Sequence, residues 1–450
     1  MAIDFLIQRF KENKDNPAII WQNRIYSYSD LLNKIDLAKV FLAQNDIRSG
    51  NIVALNGDFT PNTITLLLAL IDNNSIIVPF TSLLKESEKI KTEIAGVQKT
   101  ITVNMDTDSY SFNLIDNEHK IHPYYQNLHS DKSPGLVLFT SGTSGNPKGA
   151  VHNFNRLLEK FKTTRKGLRT VNFLLFDHWG GLNTLFHTLS NCGVVLALRN
   201  RKPDAVCKFI QEYKIELLPV SPSFLNLLIL SDVYKDYDLS SLKLITYGTE
   251  PMPETTLKRA KDIFSEVKFQ QTYGLIELGV LRSKSKSDDS LWVKMGGDGF
   301  QLRVVDNILQ IKAESAMLGY LNAPSPFTDD GFFITGDMVE QDGEYYKILG
   351  RKSELINVGG EKVYPQEVEN VILGFSNILD VTVHGEKHPL TGNIVCAKIN
   401  LENVVPDQKI FIKELKSYCR KQMQSFKVPV KIVIVEEELH STRFKKQRTE

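Results

Sequence analysis

The 450 residues suffice for about three folding units, and 54 Lys+Arg against 53 Asp+Glu leave a formal net charge of +1. No global field therefore draws the chain onto nucleic acid or an anionic membrane. With 42% hydrophobic and 24% charged residues, the composition excludes the low-hydrophobicity, high-charge class of disordered chains.

In chain order, Asp4, Arg9, Lys11 and Glu12 interrupt the apolar run that a secretory signal needs at the amino terminus. NIVALNG, PNTITLLLALIDNN and SIIVPF then read strand, helix, strand, the alternation of parallel α/β units. Within them residues 63–71 form the most apolar stretch, which stops at Asp72-Asn73-Asn74. It falls short of the roughly 20 residues of a membrane span and reads as a buried helix. GLVLF, VNFLLF, GVVLAL, IELLPV and LKLITYG are further strands, several ending in Gly, Ser or Thr; ligands of open α/β sheets collect outside such carboxyl ends. Past Ser290, ILQIK, GFFITGD and QDGEYYKILG predict an antiparallel, barrel-like section. The tail from Arg351 mixes strands (DVTVHG, IVCAKIN, VKIVIV) with the basic helix IKELKSYCRKQM, as a small α+β domain does. Cys192, Cys207, Cys396 and Cys419 contain no CxxC pair, which suggests neither a disulfide scaffold nor a zinc site and fits a reducing cytoplasm.

The loop Thr140-Ser141-Gly142-Thr143-Ser144-Gly145-Asn146-Pro147-Lys148-Gly149 directly follows an apolar strand. Glycines let backbone N–H groups approach an anion, hydroxyls donate hydrogen bonds and a lysine adds a point charge. The Walker pattern is absent, because no Ser or Thr follows Lys148.

TSGTSGNPKG, QTYGLIELG, GFFITGD, GRKSELINVGGEKVYPQEVE and FKVPV follow one another in an order that resembles the adenylate-forming enzymes, the acyl-CoA synthetase and adenylation-domain type. The resemblance covers nearly the whole chain. It implies an α/β fold with a large N-terminal domain (residues 1–350) that binds ATP and the acid. Layered α/β subdomains and the barrel-like section would build it, and residues 351–450 would form a small mobile lid. The implied reaction joins a carboxylate to the α-phosphate of ATP, releases pyrophosphate, and passes the acyl group to coenzyme A or to the phosphopantetheine of a separate carrier protein.

By the same resemblance, Thr140, Ser141, Gly142, Thr143 and Lys148 would hold phosphates, Glu277 would bind Mg²⁺, and Tyr273 would stack on adenine opposite Gly248, Thr249 and Glu250. Asp337 would accept both ribose hydroxyls, as a carboxylate suits a diol, with Arg351 beside it. Ser353 falls at the hinge, where relatives have Asp or Lys, and Gly359-Gly360 lie in the segment that enters the site for thiol transfer. Asp177, His178 and Trp179 fall at the acid pocket.

Three departures mark this chain. Ile276 replaces a hydroxyl residue, removing a contact to the α-phosphate worth on the order of 0.5–1.5 kcal/mol. The acid-pocket segment carries Asp177-His178 before its glycines. The last motif reads STRFKKQR without the usual glycine before its lysine. Alignment on Arg448 selects Lys445 as catalytic and alignment on Leu439 selects Lys446, the preferred candidate. A non-catalytic nucleotide-binding protein is the competing reading, one that would bind ATP without releasing pyrophosphate.

Overall fold

The computed structural model describes residues 2–81, 88–115, 121–141, 146–437, 439–440 and 446. The chain builds two seven-stranded sheets from strands before residue 275, with the single later strand Gly319–Tyr320 at the edge of the second. One runs Lys268–Gln271, Leu244–Tyr247, Leu217–Val220, Arg169–Asn172, Val194–Ala197 and Pro17–Trp21 in parallel, with Arg24–Ser27 antiparallel at its edge. The other is parallel through Ile76–Phe80, Ile52–Asn56 and Lys99–Val103, and the antiparallel pair Gly135–Ser141 and Pro147–Asn153 joins it.

The helix Pro61–Asp72 is apolar all round because it is enclosed. Thr60 caps it by accepting the Thr63 N–H, Pro61 occupies its first turn, and every residue from Thr63 to Ile71 is buried. One continuous apolar cluster takes Ile19 and Val195 from the first sheet, Val53, Ile77 and Leu136 from the second, and Leu67 and Leu185 from helices between. The two sheets therefore share one core.

The barrel-like section is a six-stranded antiparallel sheet in the order Arg282–Ser285, Trp292–Gly296, Tyr345–Arg351, Phe333–Asp342, Ile308–Ala313, Phe300–Val305. A three-residue turn, Lys352–Glu354, separates Arg351 from Ile356, the first strand residue of the last sheet. That sheet joins Ile378–His388 and Gly392–Leu401 to Lys431–Ile434, and its core packs Val381 and Val395 against Val368, Ile372, Leu415 and Cys419. All four cysteines are free. Among the described residues no helix is long and apolar enough to cross a membrane.

Two histidines make stability depend on pH. Burial lowers His152 and His187 from 6.5 to about 4, so both stay neutral in the folded state while the unfolded chain takes up protons near 6.5. Stability is therefore fully present above the unfolded value and is lost as pH falls from about 6.5 towards about 4. Urea midpoints compared at about pH 7 and about pH 4.5 should drop for the wild type and drop less for His152→Gln/His187→Gln. An identical drop in both would contradict this assignment.

Candidate active site

The six-stranded sheet places Asp337 directly opposite Arg351, because ITGD and LGR lie on adjacent antiparallel strands in that register. Asp337 is buried; its Oδ2 accepts the Tyr273 hydroxyl at 2.6 Å and its Oδ1 lies 3.3 Å from Arg351 Nε. Its backbone N–H donates to Thr335 Oγ1 at 3.0 Å, and that hydroxyl donates to the Leu309 carbonyl at 2.7 Å. Burial pushes the Asp337 carboxyl up, against the opposing pull of Arg351 and Tyr273. The same burial, with Asp337 adjacent, raises Tyr273 well above its ordinary value, so Tyr273 is a neutral donor.

Glu277 belongs to the same charged group, since it acts electrostatically on both Asp337 and Arg351. Its Oε1 accepts the Tyr320 hydroxyl at 2.5 Å. Lys148 Nζ lies 5.7 Å from the centre of the Tyr320 ring, within cation–π range. Tyr320 thus links the carboxylate to the lysine across some 170 residues of sequence, as the paired strands Gly319–Tyr320 and Pro147–Asn153 require. Thr140 lies opposite Lys148 in the neighbouring pair. Gly142, Thr143 and Lys445 lie outside the described residues, as does the side chain of Ser141.

Asn322 holds the exit of the loop from both sides, accepting the Gly149 N–H at 3.1 Å and donating to the Pro147 carbonyl at 2.9 Å. Tyr320 and Asn322 escaped the sequence reading. Their only signal was GYLN, four residues with no chemistry of their own until the strand pairing is known.

Gly248 sits so close to Thr272 that a Cβ would come within 2.6 Å of its carbonyl, so only glycine fits. Thr249 has φ 74°, rare for a β-branched residue and of the kind that gathers at functional sites. Glu250 turns towards the small domain. It accepts the Ser223 N–H at 2.7 Å, at the start of the helix Pro222–Leu230, and the Lys446 N–H at 3.4 Å. Burial raises its carboxyl.

His178 caps the helix Trp179–Ser190 by accepting the Gly180 N–H at 3.0 Å. Trp179 is buried against Phe154, with ring centres 6.4 Å apart, and its indole N–H faces Gly279. Asp177 is also buried, and its charge acts on Asp58, which pairs with Arg201 at 2.9 Å. Asp177, His178 and Trp179 share a helix start.

Ser353 is exposed in the turn Lys352–Glu354. Gly359 and Gly360 have φ 61° and 95° and close a two-residue hairpin between Ile356–Val358 and Glu361–Val363. Both positive angles suit a primed turn, and a Cβ at either glycine would meet nothing within 4 Å. Lys446 is buried inside the small domain, its Nζ 2.9 Å from the Val381 carbonyl, 3.5 Å from Glu369 and 3.6 Å from Asp380. The spacing of the cysteines also concealed a His384–Glu386–Cys396 group with donor atoms within 4.8 Å of one another. Lys431 already meets the Glu386 charge there, at 2.9 and 3.3 Å.

The AMP-binding enzyme family matches residues 81–307, and the AMP-binding enzyme C-terminal domain matches residues 367–446. The chain is 29% identical to an indoleacetate–CoA ligase of Aromatoleum aromaticum over 338 residues, 68% of this chain and 64% of that protein. It is 24% identical to a 2-succinylbenzoate–CoA ligase of Bacillus pumilus over 99% of this chain and 96% of that one. The fold is similar to that of an anthranilate CoA ligase solved with anthranoyl-AMP, with a TM-score of 0.84 and 19% identity over 99% of this chain and 95% of that chain.

Proposed function

This chain belongs to the AMP-binding enzyme family, and we propose that it activates a carboxylic acid with ATP and passes the acyl group to the thiol of coenzyme A. In the first step a carboxylate oxygen attacks the α-phosphorus, an acyl–phosphate bond forms, and the bond to pyrophosphate breaks. In the second, the thiol sulfur attacks the acyl carbon, AMP leaves with the bonding electrons, and the thiol proton passes to solvent.

The observation that carries this reading is the single linked group of Tyr273, Asp337, Arg351, Glu277, Tyr320 and Lys148. It gathers acceptors for a sugar diol and cations for phosphates at one place. Two anions at about 4 Å repel by roughly 4 kcal/mol at an effective dielectric of about 20, so fixed cations aimed at the phosphates are what the first step demands. In this reading Asp337 and Arg351 orient the ribose, Tyr273 covers the base, and Lys148 with Thr140 and its loop meets the phosphates.

Glu277 fits a hard cation, because among the described residues its carboxylate accepts only the Tyr320 hydroxyl and carboxylate oxygen is the donor such ions take. Mg²⁺ held there would neutralise phosphate charge. The relatives' names, which specify indoleacetate and 2-succinylbenzoate, support an acid of the aryl class and coenzyme A as acceptor. Four free cysteines suit a cytoplasmic setting.

The test is acid-dependent ATP–pyrophosphate exchange with indoleacetate, 2-succinylbenzoate, anthranilate and short hydroxy acids, followed by mass detection of the CoA thioester. Exchange with at least one acid, and a thioester of the same acid, is expected. Binding of ATP with no exchange across the panel and no thioester would instead support a non-catalytic nucleotide-binding role.

A further inference from the structure

Little packing fixes the tip of the Gly359–Gly360 turn. Both glycines are exposed, and a Cβ at either would meet nothing within 4 Å, so hydrogen bonds rather than apolar contacts set where the turn points. Those bonds come from a second hairpin, Ile378–His388 with Gly392–Leu401. Three residues, Pro389-Leu390-Thr391, close it, and Gly392 takes φ 76°, the left-handed residue that ends such loops. Leu390 at its tip is 89% exposed, so this tip too depends on polar contacts.

The two tips meet along one edge. Val358 pairs with Gly392 across antiparallel strands, and the Gly359 N–H donates to the Thr391 carbonyl at 2.8 Å. Asn393 Nδ2 donates to the Asn357 carbonyl at 3.0 Å, and Asn357 Oδ1 in turn accepts the Gly360 N–H at 3.0 Å. Inside the second tip the Thr391 hydroxyl donates to the Asn393 carbonyl at 2.8 Å. A hydroxyl has one proton to give, so in the 3.1 Å contact between Thr391 Oγ1 and His388 Nδ1 the imidazole N–H is the donor. Asn393 lies 36 residues beyond Asn357, a separation at which no local pattern links NVGG to HPLTGN.

We propose that Thr391 and Asn393 are positioning residues for thiol transfer: the hairpin tip they build clamps the Gly359–Gly360 turn in one conformation. This rests on the activity proposed above and on the assignment of the turn to its second step. Two adjacent glycines have many backbone conformations open to them, and a segment that must meet a reacting sulfur loses rate steeply when misplaced by about 1 Å. A clamp outside the reacting centre limits that freedom without adding a group to it. The attack on the α-phosphorus does not use the turn, so the tip matters to one half-reaction only.

Asn393→Ala removes the donor to Asn357, and Thr391→Val removes the hydroxyl at nearly constant shape. In both, ATP–pyrophosphate exchange with whichever acid of the panel supports it should stay within about threefold of wild type. Single-turnover conversion of that acid's adenylate to the CoA thioester, at saturating coenzyme A, should fall about 10- to 100-fold. Thr391→Ser, which keeps the hydroxyl, should remain within about threefold in both steps. Equal losses in the two steps, a second step as fast as in the wild type, or a Thr391→Ser protein as slow as Thr391→Val would overturn the proposal. So would a loss that vanishes at saturating coenzyme A, which would make the tip a part of the thiol substrate's binding surface. Hydrogen exchange gives a readout independent of activity. At short labelling times, peptides covering residues 356–363 should exchange faster in Asn393→Ala, while the helix Pro365–Leu373 keeps its wild-type protection. Unchanged exchange in residues 356–363 would overturn the clamp, as would faster exchange in both segments, the mark of a generally loosened domain. Should the wild type show no pyrophosphate exchange with any acid, the proposed activity fails, and the hydrogen-exchange comparison still decides whether the tip holds the turn.

Discussion

Asp337→Ala is expected to lower kcat/KM for ATP by about two to three orders of magnitude and to weaken AMP binding in calorimetry by a similar factor. Hydrogen bonds to a charged group contribute about 1.5–3 kcal/mol each, and a ribose diol would give the carboxylate two of them, a combined effect of about 3–5 kcal/mol in transition-state stabilisation. The fold should survive the change. Arg351 is half-exposed and can be rehydrated, and burial raises the Asp337 carboxyl above its ordinary value, so the ionised form is a cost to the folded chain at neutral pH. A group raised in this way favours folding only as it becomes protonated, and its removal takes away a desolvated charge. The sign for ligand binding is opposite: the diol needs the ionised form, so AMP affinity should weaken on acidification at a higher pH than for an ordinary carboxylate. Asp337→Asn, which keeps the shape and loses the charge, should lie between wild type and alanine. Equal AMP affinity in all three proteins would remove Asp337 from the site.

The part of this arrangement legible in the sequence is the part written in local order. A strand ending in a small-residue loop, the ITGD and LGR segments brought into register by one hairpin, and an apolar run too short for a membrane each carry their meaning within a few residues. Tyr320 and Asn322 carry theirs only through a strand pairing with residues near 150, and a lone Tyr or Asn in a loop reads as solvated surface until that pairing exists. The choice between Lys445 and Lys446 stays open in the sequence for a different reason. The two alignments differ by one residue, and no local pattern in STRFKKQR decides between them. Lys446 meets Glu369 and Asp380, 77 and 66 residues away, partners that no local pattern announces. Glu250 likewise has a partner that its motif does not announce, the Ser223 N–H some 27 residues earlier.

Glu277→Gln is the second large expected effect, a loss of about 100-fold or more in pyrophosphate exchange, because a metal's charge stabilisation is worth several kcal/mol. Glutamine keeps the length and one carbonyl oxygen, so the substitution isolates the charge. Two measurements separate this from a packing defect. The Mg²⁺ concentration giving half-maximal exchange should rise about tenfold or more, a shift a merely loosened loop would not cause. Calorimetric binding of AMP, which needs no metal bridge between phosphates, should change by less than about threefold. Tyr320→Phe then tests the arrangement around the carboxylate. It removes the 2.5 Å hydrogen bond to Glu277 while keeping the ring beside which Lys148 lies. Loss of one hydrogen bond to a charged acceptor predicts about a tenfold effect, and the carboxylate, freed to rotate, should again raise the Mg²⁺ requirement. If Tyr320→Phe matched wild type while Glu277→Gln lost activity, the tyrosine would be a neighbour of the carboxylate without orienting it. If Glu277→Gln kept both its rate and its Mg²⁺ dependence, the cation would be held elsewhere.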